Sequence, residues 1–174
     1  IFATKNGNIR RNQLSDFTNI RQNGKIAMKL HKNDELVSVI PCSDKDNVLL
    51  ATRLGKAIRF DVNDVRVFVG RGSSGVRGIK LKPNDYVVSM CLIPEMNKRY
   101  ILSVTENGFG KRTPIEDYRM TNRGGQGVAN IECSARNGPV VASYVASEDD
   151  QIMLVTNSGK LIRIRVHGGE GDSI

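Results

Sequence analysis

Four copies of Thr-x-x-Gly-x-x-x-Arg run through this chain, at Thr4/Gly7/Arg11, Thr52/Gly55/Arg59, Thr105/Gly108/Arg112 and Thr156/Gly159/Arg163. Their spacing is roughly fifty residues, the period of a repeat array whose units bury apolar faces on one another. Each copy follows a short, branched apolar run: Ile1 to Ala3, Val48 to Ala51, Tyr100 to Val104 and Ile152 to Val155. Such a run ending in a polar or apolar residue and Gly reads as strand, tight turn, strand, with glycine supplying a positive φ. The threonine closes the first strand and the arginine lies on the returning one.

Two further blocks recur behind each hairpin. One is Gly24 to Leu30, Gly75 to Leu81 and Gly127 to Ile131, with Met28, Ile79 and Ile131 at one offset; it reads as a third strand. The other is Leu36 to Ser38, Val87 to Ser89 and Val140 to Ala142, each after a polar turn, and reads as a fourth. The unit is therefore a four-stranded, propeller-type blade. The expected fold class is all-β, with blades at about 1–47, 48–99 and 100–151 and a partial one at 152–174. Tryptophan is absent, which excludes WD40 signatures, and the kelch double-glycine pattern is missing too.

The net charge of +8 points to a polyanionic partner. An array of equivalent arginines suits a ligand that is itself a repeating polyanion. The candidate phosphate-binding cations are Arg10, Arg11, Arg21, Lys25, Lys56, Arg59, Arg71, Arg77, Lys111, Arg112, Arg119, Arg123, Lys160 and Arg163. The second unit is the most basic and the third carries more acidic than basic residues, so the second is expected to hold a polyanion most tightly. The alternative for the recurring arginine is structural: a residue repeated once per unit can equally pair with the neighbouring unit.

Little else suggests chemistry. Gly70 to Gly75 matches G-x-G-x-x-G, but Val76 to Leu81 reads as strand where a dinucleotide site needs a helix. A basic turn flanked by Arg71 and Arg77 is the better reading, and Asn122 to Gly127 aligns with it in the third unit. His31 and His167 have no partner at metal-ligand spacing, so no metal and no cofactor is expected. Asp44 to Asp46 and Asp149-Asp150 read as solvated turns. No nucleophile–base arrangement is suggested, and Tyr118, beside Arg119, is not read as a nucleophile. No apolar run is long enough to span a membrane, and the start, without Met or a signal peptide, reads as the interior of a longer chain. Cys42, Cys91 and Cys133 lack CxxC spacing and read as small buried hydrophobes in a reducing, cytoplasmic setting.

Thr105 to Thr113, Gly75 to Leu81 and Asp150 to Met153 resemble the C-terminal domain of the A subunit of bacterial DNA gyrase, in order and at the right spacing over about residues 1–167. The resemblance implies a six-bladed β-pinwheel that exchanges strands between neighbouring blades and wraps duplex DNA around a basic rim. This chain would supply about three and a half blades of the ring. It implies a non-catalytic segment of an ATP-dependent, negatively supercoiling type II topoisomerase, acting with two B subunits and one further A subunit. The gyrase box of the first blade is missing, and Asn122 to Gln126 is a degenerate relative of it. The related topoisomerase IV has similar blades and is the competing resemblance. A protein-interaction propeller without a nucleic-acid role is the alternative function.

Overall fold

The computed structural model describes residues 1–94 and 99–166. The C-terminal end of the partial fourth unit, with His167, lies outside the described residues. Three motif hairpins open three sheets: β1 (Phe2–Thr4) with β2 (Asn8–Arg10), β4 (Asn47–Thr52) with β5 (Lys56–Asp61), and β8 (Tyr100–Thr105) with β9 (Gly110–Pro114). A fourth hairpin, β12 (Gln151–Val155) with β13 (Leu161–Arg165), stands as a two-stranded sheet. The fourth-block strands β3 (Leu36–Val39), β7 (Val87–Ile93) and β11 (Val140–Ala146) lie antiparallel on the first strand of their own hairpin.

The motif turn is built as its residues dictate. In each copy the threonine carbonyl accepts from the glycine N–H, as Thr52 does from Gly55 at 3.1 Å. The glycines sit at φ of 81°, 78°, 82° and 77°, the left-handed region that closes a three-residue hairpin loop. The threonine hydroxyl accepts the N–H just past the glycine at Asn8, Lys56 and Lys160. This explains the choice of threonine: its side chain satisfies a donor the turn leaves open.

The third-block strands cross between units. β6 (Val76–Arg77) pairs with β2 of the first unit, and β10 (Val128–Ala129) pairs with β5 of the second. The sheets thus read β3-β1-β2-β6, β7-β4-β5-β10 and β11-β8-β9. This corrects one expectation: Gly24 to Leu30 is not a strand. Its counterparts pair with the hairpin of the preceding unit, and the first unit has no preceding hairpin among the described residues.

The core lies at the junctions between units. Successive residues of β4 point to opposite faces, so Leu50 joins Ile9, Ile58, Phe60 and Ile79 between units one and two, while Leu49 joins Ala57, Ile101, Ile115 and Tyr118 between units two and three. Both faces are covered, which is why the strand reads as a continuous apolar run. Each fully buried Leu contributes about 1.5–3 kcal/mol. No helix is long and apolar enough to cross a membrane among the described residues.

Candidate nucleic-acid interface

The recurring arginine is first a bracket between units. Arg59 donates from Nη1 to the carbonyls of Ile115 (3.1 Å) and Tyr118 (3.4 Å) in the next unit, and from Nε to Asn47 (3.0 Å). Its own carbonyl accepts from Thr121 N–H at 3.0 Å. Arg11 repeats the pattern one unit earlier: Nη1 meets Asp44 at 2.8 Å and Asn63 at 3.3 Å, and its carbonyl accepts from Phe68 N–H at 2.8 Å. Arg112 repeats it one unit later, with Nη1 on the carbonyl of Val166 at 2.7 Å. Ile115 and Val166 sit at one offset from their motif threonines, so Arg59 and Arg112 each donate to the carbonyl of the first residue after the next hairpin.

Three sequence expectations are corrected by this geometry. Arg10 is completely buried, its guanidinium donating to the carbonyls of Ser73 and Gly70 and to Asn12. Arg11 is buried too, and Arg59 is partly enclosed. None of these stands free on a rim. Burial lowers the Arg10 and Arg59 guanidinium pKa values, with Asp16 and Glu116 respectively opposing the shift. Asp44 lies in an exposed turn, as expected, and its carboxylate also meets Arg11.

A second set of arginines ties the glycine loops into a row. Arg71 donates to the carbonyl of Ile26 at 2.8 Å, and Arg123 to that of Arg77 at 3.0 Å; the two contacts are equivalent by repeat. Alongside them, Lys29 N–H donates to Ser73 at 3.2 Å and Lys80 N–H to Gly125 at 2.8 Å. The loops at 70–75 and 122–127 therefore rest in succession on the segments 26–29 and 77–80, which directly follow the loops at 19–25 and 70–75. Because Arg71 uses one guanidinium nitrogen here, its remaining donors stay open.

The cations left facing outward gather along this row. An open cleft of about 1100 Å³ between the first two loops is lined by Asn19, Arg21, Asn23, Lys25, Arg71 and Gly72, without a carboxylate. A smaller groove of about 370 Å³ is lined by Arg59, Arg119, Asn122, Gly125 and Gln126. Arg21, Arg77 and Arg119 are exposed, and Lys56 is half-buried at the start of β5. Lys25 donates to the carbonyl of Asp16 and Lys111 to that of Asn130, which leaves each charge unneutralised. Lys160 and Arg163 are exposed on the fourth hairpin. The ion pairs among the described residues are Lys5–Glu35, Arg11–Asp44 and Arg53–Glu106, none of which engages a loop-row cation. Sequence reasoning missed Lys29 and Lys80, both exposed beside the row. The signal was present: they stand at one offset from Gly24 and Gly75.

No cluster of His, Cys, Asp or Glu able to hold a metal occurs among the described residues. Cys91, buried and donating to the carbonyl of Ser143, has its thiol pKa pushed up to about 11 by burial, which makes it unreactive.

Units that exchange a strand, bury their core at shared junctions and set basic loops along one row define a propeller-like β-repeat domain of the pinwheel kind. The family model described as DNA gyrase C-terminal domain, beta-propeller, matches residues 1–43, 46–90, 99–138 and 150–168, and the chain belongs to that family. The gyrase A protein of Rickettsia prowazekii (strain Madrid E) is 38% identical over 212 residues, covering 95% of this chain and 23% of that protein. The chain thus spans less than a quarter of that relative. Among solved structures, a C-terminal domain of DNA topoisomerase IV matches with a TM-score of 0.88 at 28% identity, covering 95% of this chain and 51% of that one. A DNA gyrase A C-terminal domain matches with a TM-score of 0.79 at 34% identity, covering 93% and 53%.

Proposed function

We propose that this chain binds and bends duplex DNA by contacting phosphates along the row of loops, as part of a gyrase A protein. The observation that carries the reading is the row itself: Arg21, Lys25, Arg71, Arg77 and Arg119 lie on or beside successive loops, with no carboxylate lining the main cleft. Clustered like charge that no acidic side chain neutralises favours an incoming polyanion. Glycine-rich loops leave backbone N–H groups near the same surface, which suits phosphate rather than base contacts. Aromatic residues make up 5% of the chain, too few for a stacking platform that would favour single strands.

In the whole enzyme this segment would hold a wrapped DNA segment for strand passage and so support ATP-dependent negative supercoiling. Cleavage and ATP hydrolysis would reside on other segments, on two B subunits and on one further A subunit. No cofactor is assigned to this segment. Binding isotherms of this chain with a duplex of mixed sequence, taken across a salt series, test the proposal. Log affinity is expected to fall steeply and linearly with log salt, independent of sequence. A flat salt response would instead favour a protein-interaction module.

A further inference from the structure

We propose that Val69 is a wedge that inserts at a base step of bound duplex DNA and kinks it. The inference rests on the phosphate-contact reading above and adds how the bend is made. Val69 is a fully exposed apolar side chain in the second unit, and the units on both sides of it belong to the chain. The loop that carries it is one residue longer than its counterpart in the third unit. Val67 and Met120 are equivalent, each bridging to the motif arginine of the preceding unit, and Arg71 and Arg123 are equivalent through their carbonyl contacts. Three residues separate Val67 from Arg71 and two separate Met120 from Arg123, so Val69-Gly70 stands against Asn122 alone.

The backbone is anchored on both sides of this side chain. Phe68, buried, donates its N–H to the Arg11 carbonyl at 2.8 Å, and its own carbonyl accepts from Asn12 Nδ2 at 3.0 Å. The Gly70 carbonyl accepts from Arg10 Nη2, and from Asn12 Nδ2 at 2.9 Å. The guanidiniums of Arg10 and Arg66 lie against the Phe68 ring, at 5.1 and 4.4 Å from its centre. The buried Arg10 is thus committed to fixing the backbone around a side chain that is itself left in solvent. With the tip already placed, little conformational freedom is lost on insertion. Arg66 and Arg71 flank the tip, and neither forms an ion pair among the described residues. An apolar point between two cations matches a base step, whose apolar faces lie between phosphates. An anionic lipid surface would call for a whole apolar face instead of one side chain.

Binding of the 174-residue chain to a mixed-sequence duplex, and to the same duplex with one central mismatch, tests this, the bend being read by energy transfer between dyes on the duplex ends. A mismatched step costs less to unstack, so the wild-type chain is expected to bind that duplex about tenfold more tightly and to bend it more. Val69→Ser is expected to bind both duplexes alike and with a smaller bend, while Val69→Leu keeps the preference. Because Val69 is exposed and uncharged, Val69→Ser should leave the salt slope and the thermal unfolding unchanged. A wild-type chain indifferent to the mismatch, or a preference and bend that survive in Val69→Ser, overturns the wedge even where a steep salt slope leaves the phosphate reading standing. Salt-independent binding, or none, removes that reading and the wedge with it.

Discussion

Arg59 Nη1 lies 3.1 Å from the carbonyl of Ile115, a residue of the following unit, so the motif's cation is spent on holding two units together. The same use recurs at Arg11 and Arg112. On the proposed function, phosphate recognition would then fall to cations beyond the motif, on the loops beside it.

Arg59→Ala is therefore expected to destabilise the fold by about 1–3 kcal/mol, because the Ile115 and Tyr118 carbonyls lose a charged donor. Arg59→Lys should recover part of that loss, since one ammonium cannot serve Asn47 and both carbonyls at once. Denaturant unfolding of the three proteins checks both statements. A change of less than about 0.5 kcal/mol on Arg59→Ala, the range of an ordinary surface substitution, would remove the bracket.

Gly55 and Gly108 have nearly the same φ, but a Cβ on Gly55 would stand 2.2 Å from the Ile131 carbonyl, whereas one on Gly108 meets nothing within 4 Å. Alanine at Gly108 should cost only backbone strain, about 1–3 kcal/mol. Alanine at Gly55 should cost more, because a strand-exchange segment must move. Paired thermal melts decide it, and equal losses would mean that the crossing segment yields freely.

Ser103 and Asn130 occupy the repeat positions of Leu50 and Gly78, trading an apolar contact for a buried hydrogen-bond pair at 2.9 Å that also engages Ser143. Ser103→Leu alone should destabilise by overpacking and by stranding Asn130. Adding Asn130→Gly should recover stability, although Tyr118 and Ser143 lose a partner. A double-mutant cycle should show a coupling of about 0.5–3 kcal/mol; additive losses would refute it.

For DNA, Arg21→Ala and Arg119→Ala should each lower the salt slope by about 1, one phosphate contact apiece. Arg112→Ala should leave the slope unchanged while lowering stability. Isotherms at several salt concentrations check this, and equal slopes for all three variants would take the loops out of the interface.

Cys91 should resist alkylation near pH 8, while Cys42, half-buried, reacts. The sign of its pH effect follows from burial. A folded-state thiol pKa of about 11 lies above the unfolded value, so its contribution to stability is intact below about pH 9 and is lost as pH rises toward 11. Pulse alkylation read by mass spectrometry, with unfolding measured from pH 8 to 11, tests both; rapid native labelling of Cys91 contradicts the first.

What the sequence determined by itself was local. Threonine, glycine and the branched runs set the hairpins and their period, because a three-residue turn is satisfied within its own residues: Thr52 with Gly55 and Lys56. The all-β repeat class followed from that. Tertiary structure decided everything that needed a partner about fifty residues away. Val76–Arg77 becomes strand because β2 of the preceding unit offers an open edge, and Gly24 to Leu30, without such an edge among the described residues, does not. Likewise a guanidinium carries no mark of its fate. Arg59 met carbonyls that packing had already desolvated, where an unpaired acceptor is costly. Arg21 lies exposed in a cleft lined by cations and neutral residues, with no carboxylate to neutralise it, and so kept its charge available.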